Sequence, residues 1–137
     1  GIAPEDTVLE VGPGAGVLTV ELARRAARVV AVELDRDLFP VLAETLAPYP
    51  NASVRPGDAL KVDWSDLLDG PVRVVANIPY NITTPLLIRF LETKPPFLSL
   101  TLLVQKEVAD RIVAGAGADA YGALSVFVAY HAAARTV

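Results

Sequence analysis

Thr7 to Val11 is β-branched and apolar, and it runs straight into Gly12-Pro13-Gly14-Ala15-Gly16, after which Leu18, Leu22 and Ala26 recur at helical spacing. That is a strand, a tight glycine turn and an amphipathic helix. A strand this β-branched and apolar, with Glu10 its one charge, is the mark of burial on both faces, and such strands belong to parallel sheets covered by helices. The pattern then repeats along the chain. Arg28 to Leu34 predicts a second strand, and Leu38, Leu42 and Leu46 mark a helix that Pro48 and Pro50 stop. Asn51 to Val54 predicts a short third strand, Lys61 to Gly70 a loop or helical turn around the lone Trp64, and Val72 to Ile78 a fourth strand.

Thr83 or Thr84 is expected to cap the next helix, with Pro85 at its first position, Leu86, Leu87, Phe90 and Leu91 on its buried face, and Lys94-Pro95-Pro96 at its end. Leu98 to Val104 reads as a fifth strand, and Gln105 to Ala114 as a helix with Val108, Ile112 and Val113 inward. A flexible Gly115-Ala116-Gly117-Ala118 link leads to a last helix marked by Tyr121, Leu124 and Val128, and Thr136-Val137 is expected to open a further strand. Strands alternating with helices over short links predict an open, Rossmann-like α/β fold, a mainly parallel sheet with helices on both faces. A closed eight-fold barrel needs roughly 200 residues or more, and this chain has 137.

Composition narrows the function classes. The absence of cysteine excludes disulfides and thiolate metal sites, and the single His131 cannot form a histidine cluster, so no metal is expected. No apolar run reaches the length of about 18 residues that spans a bilayer, and no signal segment is apparent, so a cytoplasmic protein without a membrane partner is expected. The formal net charge of -4 argues against this stretch gripping nucleic acid by its own charge. The sequence contains no methionine, which predicts that Gly1 begins inside a longer chain.

Four strand ends carry candidate chemistry. The glycine turn has the spacing G-x-G-x-G rather than the dinucleotide G-x-G-x-x-G, which points away from a nicotinamide cofactor. Glu10 in the same turn either orients backbone amides or is a solvated strand end. Glu33, at the tip of the second strand, is either a solvated strand end or, in register with the glycine turn, the carboxylate that accepts both hydroxyls of a ribose, while Asp35 reads as the cap of the next helix. Gly57-Asp58-Ala59 places a carboxylate at the third strand tip, within reach of an adenine amino group. Together they describe an adenosine without a pyrophosphate. Asn77-Ile78-Pro79-Tyr80 closes the fourth strand. Its amide oxygen suits an exocyclic amino group that must be made pyramidal before it can attack an electrophilic methyl, and its tyrosine suits stacking on a flipped base. The alternative is a proline-terminated strand with a core tyrosine. Trp64 reads as packing, Arg24, Arg25 and Arg28 as a solvated helix face, and His131 as a surface residue.

Val8-Leu9-Glu10-Val11-Gly12-Pro13-Gly14-Ala15-Gly16, Val32-Glu33-Leu34-Asp35, Gly57-Asp58-Ala59-Leu60 and Asn77-Ile78-Pro79-Tyr80-Asn81-Ile82 resemble, in order and spacing, the ribosomal RNA adenine dimethyltransferases. Gln105-Lys106-Glu107-Val108-Ala109-Asp110-Arg111 and Tyr121-Gly122-Ala123-Leu124-Ser125-Val126 are similar to the KsgA-type branch. The resemblance implies a class I methyltransferase fold and S-adenosyl-L-methionine as cofactor. It also implies N6,N6-dimethylation of two adjacent adenosines near the 3' end of small-subunit rRNA, with the immature small ribosomal subunit as partner and a monomeric enzyme. Carried over by position, Glu10, Gly12, Gly14, Glu33, Leu34, Asp58, Ala59 and Asn77 form the cofactor set. Gly12 and Gly14 would face the methionine part, Glu33 the ribose and Asp58 the adenine. Asn77, Ile78, Pro79 and Tyr80 form the catalytic set, with Asn77 at the target amino group and Tyr80 on the target base.

The family's cofactor-covering segment before the first strand, its Phe-x-Pro-x-Pro-x-Val segment, its last strands and its C-terminal helical domain have no counterpart among these residues. Residues 1–137 are therefore expected to be a methyltransferase core truncated at both ends. Two other readings stay open here: a large-subunit (macrolide-resistance type) or DNA adenine methyltransferase, and a transcription-factor relative that binds nucleic acid on the same fold.

Overall fold

The computed structural model describes residues 1–93 and 97–137, so the Lys94-Pro95-Pro96 helix stop lies outside the described residues. β1 (Thr7–Val11), β2 (Arg28–Glu33), β3 (Ala52–Pro56), β4 (Val72–Asn77) and β5 (Ser99–Leu103) form one parallel sheet in the order β3-β2-β1-β4-β5. The helices are α1 (Val17–Ala23), α2 (Phe39–Leu46), α3 (Thr83–Glu92), α4 (Lys106–Val113) and α5 (Ala123–His131). The Rossmann-like reading of the sequence is the observed architecture.

Alternation along each strand sorts the core into two layers. Val8 and Val29 point to one face, where they pack with Leu22, Ala23 and Ala26 at α1. Leu9, Val11, Val32, Val74 and Ala76 point to the other, against Leu86 and Phe90 of α3 and the indole of Trp64. Each fully buried Val, Leu or Phe in these layers contributes roughly 1.5–3 kcal/mol relative to exposure. The central strand is dry on both sides: every residue from Val8 to Val11 is buried.

Register places the functional ends level. Val11 pairs with Val32 on one side and with Ala76 on the other, so the tips of β1, β2 and β4 open onto one rim. Strand order reverses between β1 and β4, since β2 and β3 run outward on one side and β4 and β5 on the other. Open α/β sheets hold ligands at such a reversal.

Two local expectations are corrected. No threonine caps α3. A 3-10 turn (Tyr80–Ile82) leads directly into it, Ile82 takes the cap position without a side-chain bond, and Pro85 lies inside the first turn rather than at its start. Thr83 is buried within the helix, and its hydroxyl donates back to the Pro79 carbonyl at 3.2 Å. The continuous turn puts that carbonyl within reach, the back-bond available to helical Thr. On α4, Val113 is 38% exposed rather than inward; Ile112 is the residue that packs toward Leu124 and Val128 of α5.

Candidate active site at the strand tips

The glycine turn is shaped by backbone conformations that side chains resist. Gly14 (φ 59°) and Gly16 (φ 89°) lie in the left-handed region. A Cβ on Gly16 would also stand 3.2 Å from Leu42 Cδ2 and from Thr45 Cγ2 of α2, whereas one on Gly14 would meet nothing within 4 Å. Gly16 is therefore needed for packing, and Gly14 leaves open space above the turn. Gly12 brings the backbone close to the neighbouring strand end: a Cβ there would lie 3.9 Å from Pro79 Cδ and 4.0 Å from the Asn77 carbonyl oxygen.

Glu33 binds the turn to the second strand. Its carboxylate accepts the Gly14 N–H at 3.3 Å and the Asp35 N–H at 2.8 Å, and Gly12 N–H reaches the Val32 carbonyl at 3.0 Å. The carboxylate is thus preset at the rim although the residue is only 7% exposed. Leu34 beside it is 69% exposed. Asp35 caps the Arg36–Leu38 turn, accepting from Asp37 N–H at 2.9 Å.

Glu10 is neither a solvated strand end nor an anchor for amides. It is 1% exposed, and its Oε2 and the equally buried Thr19 hydroxyl of α1 have no hydrogen-bond partner among the described residues. Burial pushes the Glu10 carboxyl up to about 7, the nearby Thr19 hydroxyl works against that rise, and the negative charge of Glu33 adds to it. The role of holding amides belongs to Glu33.

At the third tip, Gly57 N–H donates to the Glu33 carbonyl at 2.9 Å. Asp58 Oδ1 accepts the Leu60 N–H at 2.9 Å, which fixes the carboxylate and leaves its other oxygen 3.7 Å from Lys61 Nζ. Ala59 is buried in the core. At the fourth tip, Ile78 N–H pairs with the Leu103 carbonyl at 3.2 Å, and the Ile78 side chain is 1% exposed, so Ile78 can offer the rim only its backbone. Asn77, Pro79 and Tyr80 project outward. Tyr80 is 70% exposed, which excludes a core tyrosine. The sheet thus gathers Gly12, Gly14, Glu33, Asn77 and Pro79 at one rim, with Asp58 at the neighbouring β3 tip.

The whole chain, residues 1–137, matches the family model described as ribosomal RNA adenine dimethylase. The chain belongs to that family. It is 51% identical to the ribosomal RNA small subunit methyltransferase A of Alkaliphilus metalliredigens, over 95% of this chain and 47% of the relative. Among solved structures it is similar to a dimethyladenosine transferase from Plasmodium falciparum (TM-score 0.82, 33% identity, 93% of this chain and 46% of that one). It is also similar to the 23S rRNA methyltransferase ErmE (TM-score 0.74, 37% identity, 82% of this chain and 44% of that one). The chain spans about half the length of the curated relatives it matches. No helix among the described residues is long and apolar enough to cross a membrane.

Two residues near the rim are not marked by any local sequence pattern. Thr19 sits against Glu10 because α1 packs its first turn over β1; a lone threonine among Val17, Leu18 and Val20 was the only signal. Arg89 donates to the Ala59 carbonyl at 2.7 Å and to the Val62 carbonyl, contacts about thirty positions apart in sequence that no local pattern displays. Trp64 and His131 are where the sequence put them, one packed against Phe90 and the other on the surface.

Proposed function

We propose that residues 1–137 form the cofactor-binding and catalytic core of an S-adenosyl-L-methionine-dependent adenine N6,N6-dimethyltransferase acting on two adjacent adenosines near the 3' end of small-subunit rRNA. The observation that carries this reading is the close approach of Gly12 to Asn77 and Pro79 at the strand reversal, which joins an acidic nucleoside-binding rim to an exposed amide and aromatic ring. The names of the small-subunit and dimethyladenosine relatives support the substrate.

The charges at the rim favour a cationic cofactor over a pyrophosphate. Glu33 and Asp58 are acidic, Glu10 lies buried under the turn with an oxygen that has no hydrogen-bond partner among the described residues, and the Lys61 ammonium stands 3.7 Å from Asp58. S-adenosyl-L-methionine supplies an electrophilic methyl on a sulfonium. Glu33 would accept the ribose hydroxyls, Asp58 the adenine amino group, and Gly12 and Gly14 would admit the methionine part against bare backbone, with Leu34 and Ala59 flanking. Glu10, when ionised, favours positive charge above it.

Asn77 would do the acceptor chemistry. Its side-chain oxygen accepts a hydrogen bond from the target amino group, favouring a pyramidal nitrogen whose lone pair is free to attack; the Ile78–Pro79 backbone lines that position and Tyr80 stacks on the base. No strong base is required, because the nitrogen would gain its bond to the methyl carbon as the sulfonium C–S bond breaks to leave a neutral thioether, and the amino proton, by then acidic, would pass to water. We take the enzyme to be a cytoplasmic monomer whose partner is the immature small subunit, with the RNA grip supplied by basic surface outside this acidic stretch.

The test is transfer of labelled methyl by the protein at its full length to undermethylated small and large subunits, with wild type beside Asn77→Ala. Label in N6,N6-dimethyladenosine on small subunits that vanishes in the variant is the expected result. Label on large subunits alone would overturn the substrate assignment, and an Asn77→Ala protein of full activity would overturn the assigned chemistry.

A further inference from the structure

α3 meets the sheet through Leu86, Leu87 and Phe90, and Arg89 is the cation set among them. It does not point to solvent as a free charge. Its guanidinium donates from Nη1 to the Ala59 carbonyl at 2.7 Å and from Nη2 to the Val62 carbonyl, and its Cζ lies 5.1 Å from the Trp64 ring centre. Those carbonyls belong to a single helical turn. The Asp58 carbonyl accepts N–H groups from Lys61 at 2.8 Å and Val62 at 2.9 Å, so the turn begins at Asp58 and closes at Val62. Carbonyls at the end of a turn lack helical donors of their own. Arg89 takes up two of them.

The other end of α3 continues the acceptor segment, through the Tyr80–Ile82 turn. One planar, doubly bonded side chain therefore ties the turn that presents Asp58 to the helix that follows Asn77 and Tyr80. We propose that Arg89 is a positioning residue that holds the Asp58 carboxylate where it selects the amino group of the cofactor's adenine. This rests on the reading of Asp58 as the adenine contact. Arginine suits the task because its fork reaches two carbonyls while lying on an aromatic face; a lysine is a point charge that reaches one.

The experiment measures Kd by calorimetry in the protein at its full length, for S-adenosylhomocysteine and for its analogue whose purine carries hydrogen in place of the N6 amino group. Wild type prefers the amino form. Arg89→Ala is expected to weaken S-adenosylhomocysteine about tenfold and leave the analogue almost unchanged, so the preference collapses, with Arg89→Lys in between. Asp58→Ala removes the same preference, and the double variant binds no more weakly than Asp58→Ala alone. Equal weakening of both ligands by Arg89→Ala, or additive losses in the double variant, would reduce Arg89 to packing and overturn the proposal. A preference that survives Asp58→Ala would instead overturn the adenine contact itself, and the role of Arg89 with it. Should Arg89→Ala fail to fold, Arg89→Lys carries the comparison: a reduced preference with a native melting curve supports the proposal, and an undiminished one overturns it.

Discussion

On the β1–β2 side of the rim, Glu33 accepts two amide hydrogens, Gly12 N–H reaches across to Val32, and α2 packs against Gly16. On the β4 side, Asn77, Pro79 and Tyr80 are exposed, and the side chains of Asn77 and Tyr80 make no hydrogen bond among the described residues. One wall is held by its own hydrogen bonds and the other is left open. The difference fits the roles proposed for the two walls. A small nucleoside is selected by a rigid cradle, whereas a base pulled out of an RNA stack needs an accessible face and groups with unused hydrogen-bonding capacity. The comparison predicts that changes on the open wall cost activity without stability, and that changes on the built wall cost both.

The largest effect is expected from Asn77→Ala. Losing one precisely placed acceptor in a reaction that rests on positioning lowers the methyl-transfer rate by about a hundred- to a thousandfold. Because the Asn77 side chain is exposed and unbonded, the melting temperature should not move. A parallel loss of stability would show that the two walls are not as different as their contacts indicate.

Glu10→Gln tests the built wall from beneath. The Glu10 carboxyl is raised by burial from 4.5 to about 7, so the protonated form is the one the fold favours. Stability tied to this group is complete below pH 4.5 and is lost as pH rises through about 7, a change on the order of 3 kcal/mol across that window. Glutamine stays neutral throughout. The variant should match wild type near pH 4.5 and exceed it at pH 8 in denaturant unfolding, while binding the sulfonium S-adenosyl-L-methionine more weakly at pH 8 and leaving the neutral thioether S-adenosylhomocysteine less affected. An unchanged pH profile of stability would mean that Glu10 is ionised in the folded protein at little cost.

What the sequence disclosed follows the same division. The strands were readable because Val8 to Val11, Val29 to Val32 and Val72 to Ala76 are apolar apart from Glu10 and Arg73, and parallel, doubly covered strands leave that signature. The turn was readable because backbone in the left-handed region leaves glycine behind, and Glu33 because a strand tip beside such a turn is a short list of positions. Glu10 was misread. Its burial depends on α1 folding its Thr19 over β1, which no periodicity in the strand reveals. Arg89 was invisible for a related reason, since its partners Ala59 and Val62 lie on the far side of the β4 crossover. The cap of α3 failed because Thr83 and Thr84 are suitable residues one and two positions too late, after the chain has already begun to turn at Tyr80. Nothing local could rank Tyr80 as exposed rather than core, so stacking on a base and packing in the core stand as alternative readings until the ring is seen to be exposed.

Gly14→Ala against Gly16→Ala separates folding from binding within the built wall. Both place a Cβ in the left-handed region, at a cost of about 1–2 kcal/mol each. Gly16→Ala adds contacts of 3.2 Å to Leu42 and Thr45, so it should destabilise more. Gly14 has open space before it, so its methyl group should intrude on the ligand rather than on the protein. The expected result is a crossed pattern, the larger fall in melting temperature for Gly16→Ala and the larger fall in S-adenosylhomocysteine affinity for Gly14→Ala. Parallel losses in both would remove the case for Gly14 as a ligand-facing position.

The smallest effect sharpens the open wall most. Tyr80 presents a ring that is 70% exposed and a hydroxyl with no hydrogen-bond partner among the described residues, so the asset it offers is an aromatic face. Stacking of one base on such a face is worth about 1–3 kcal/mol. Tyr80→Ala should therefore raise the KM for the ribosomal subunit about tenfold, and Tyr80→Phe should stay within about twofold of wild type because it keeps the face and loses only the hydroxyl. Neither should alter cofactor affinity or melting temperature. If phenylalanine were as damaging as alanine, the hydroxyl would have to bond the acceptor, and the wall described as open would contain a polar contact formed only when RNA is present.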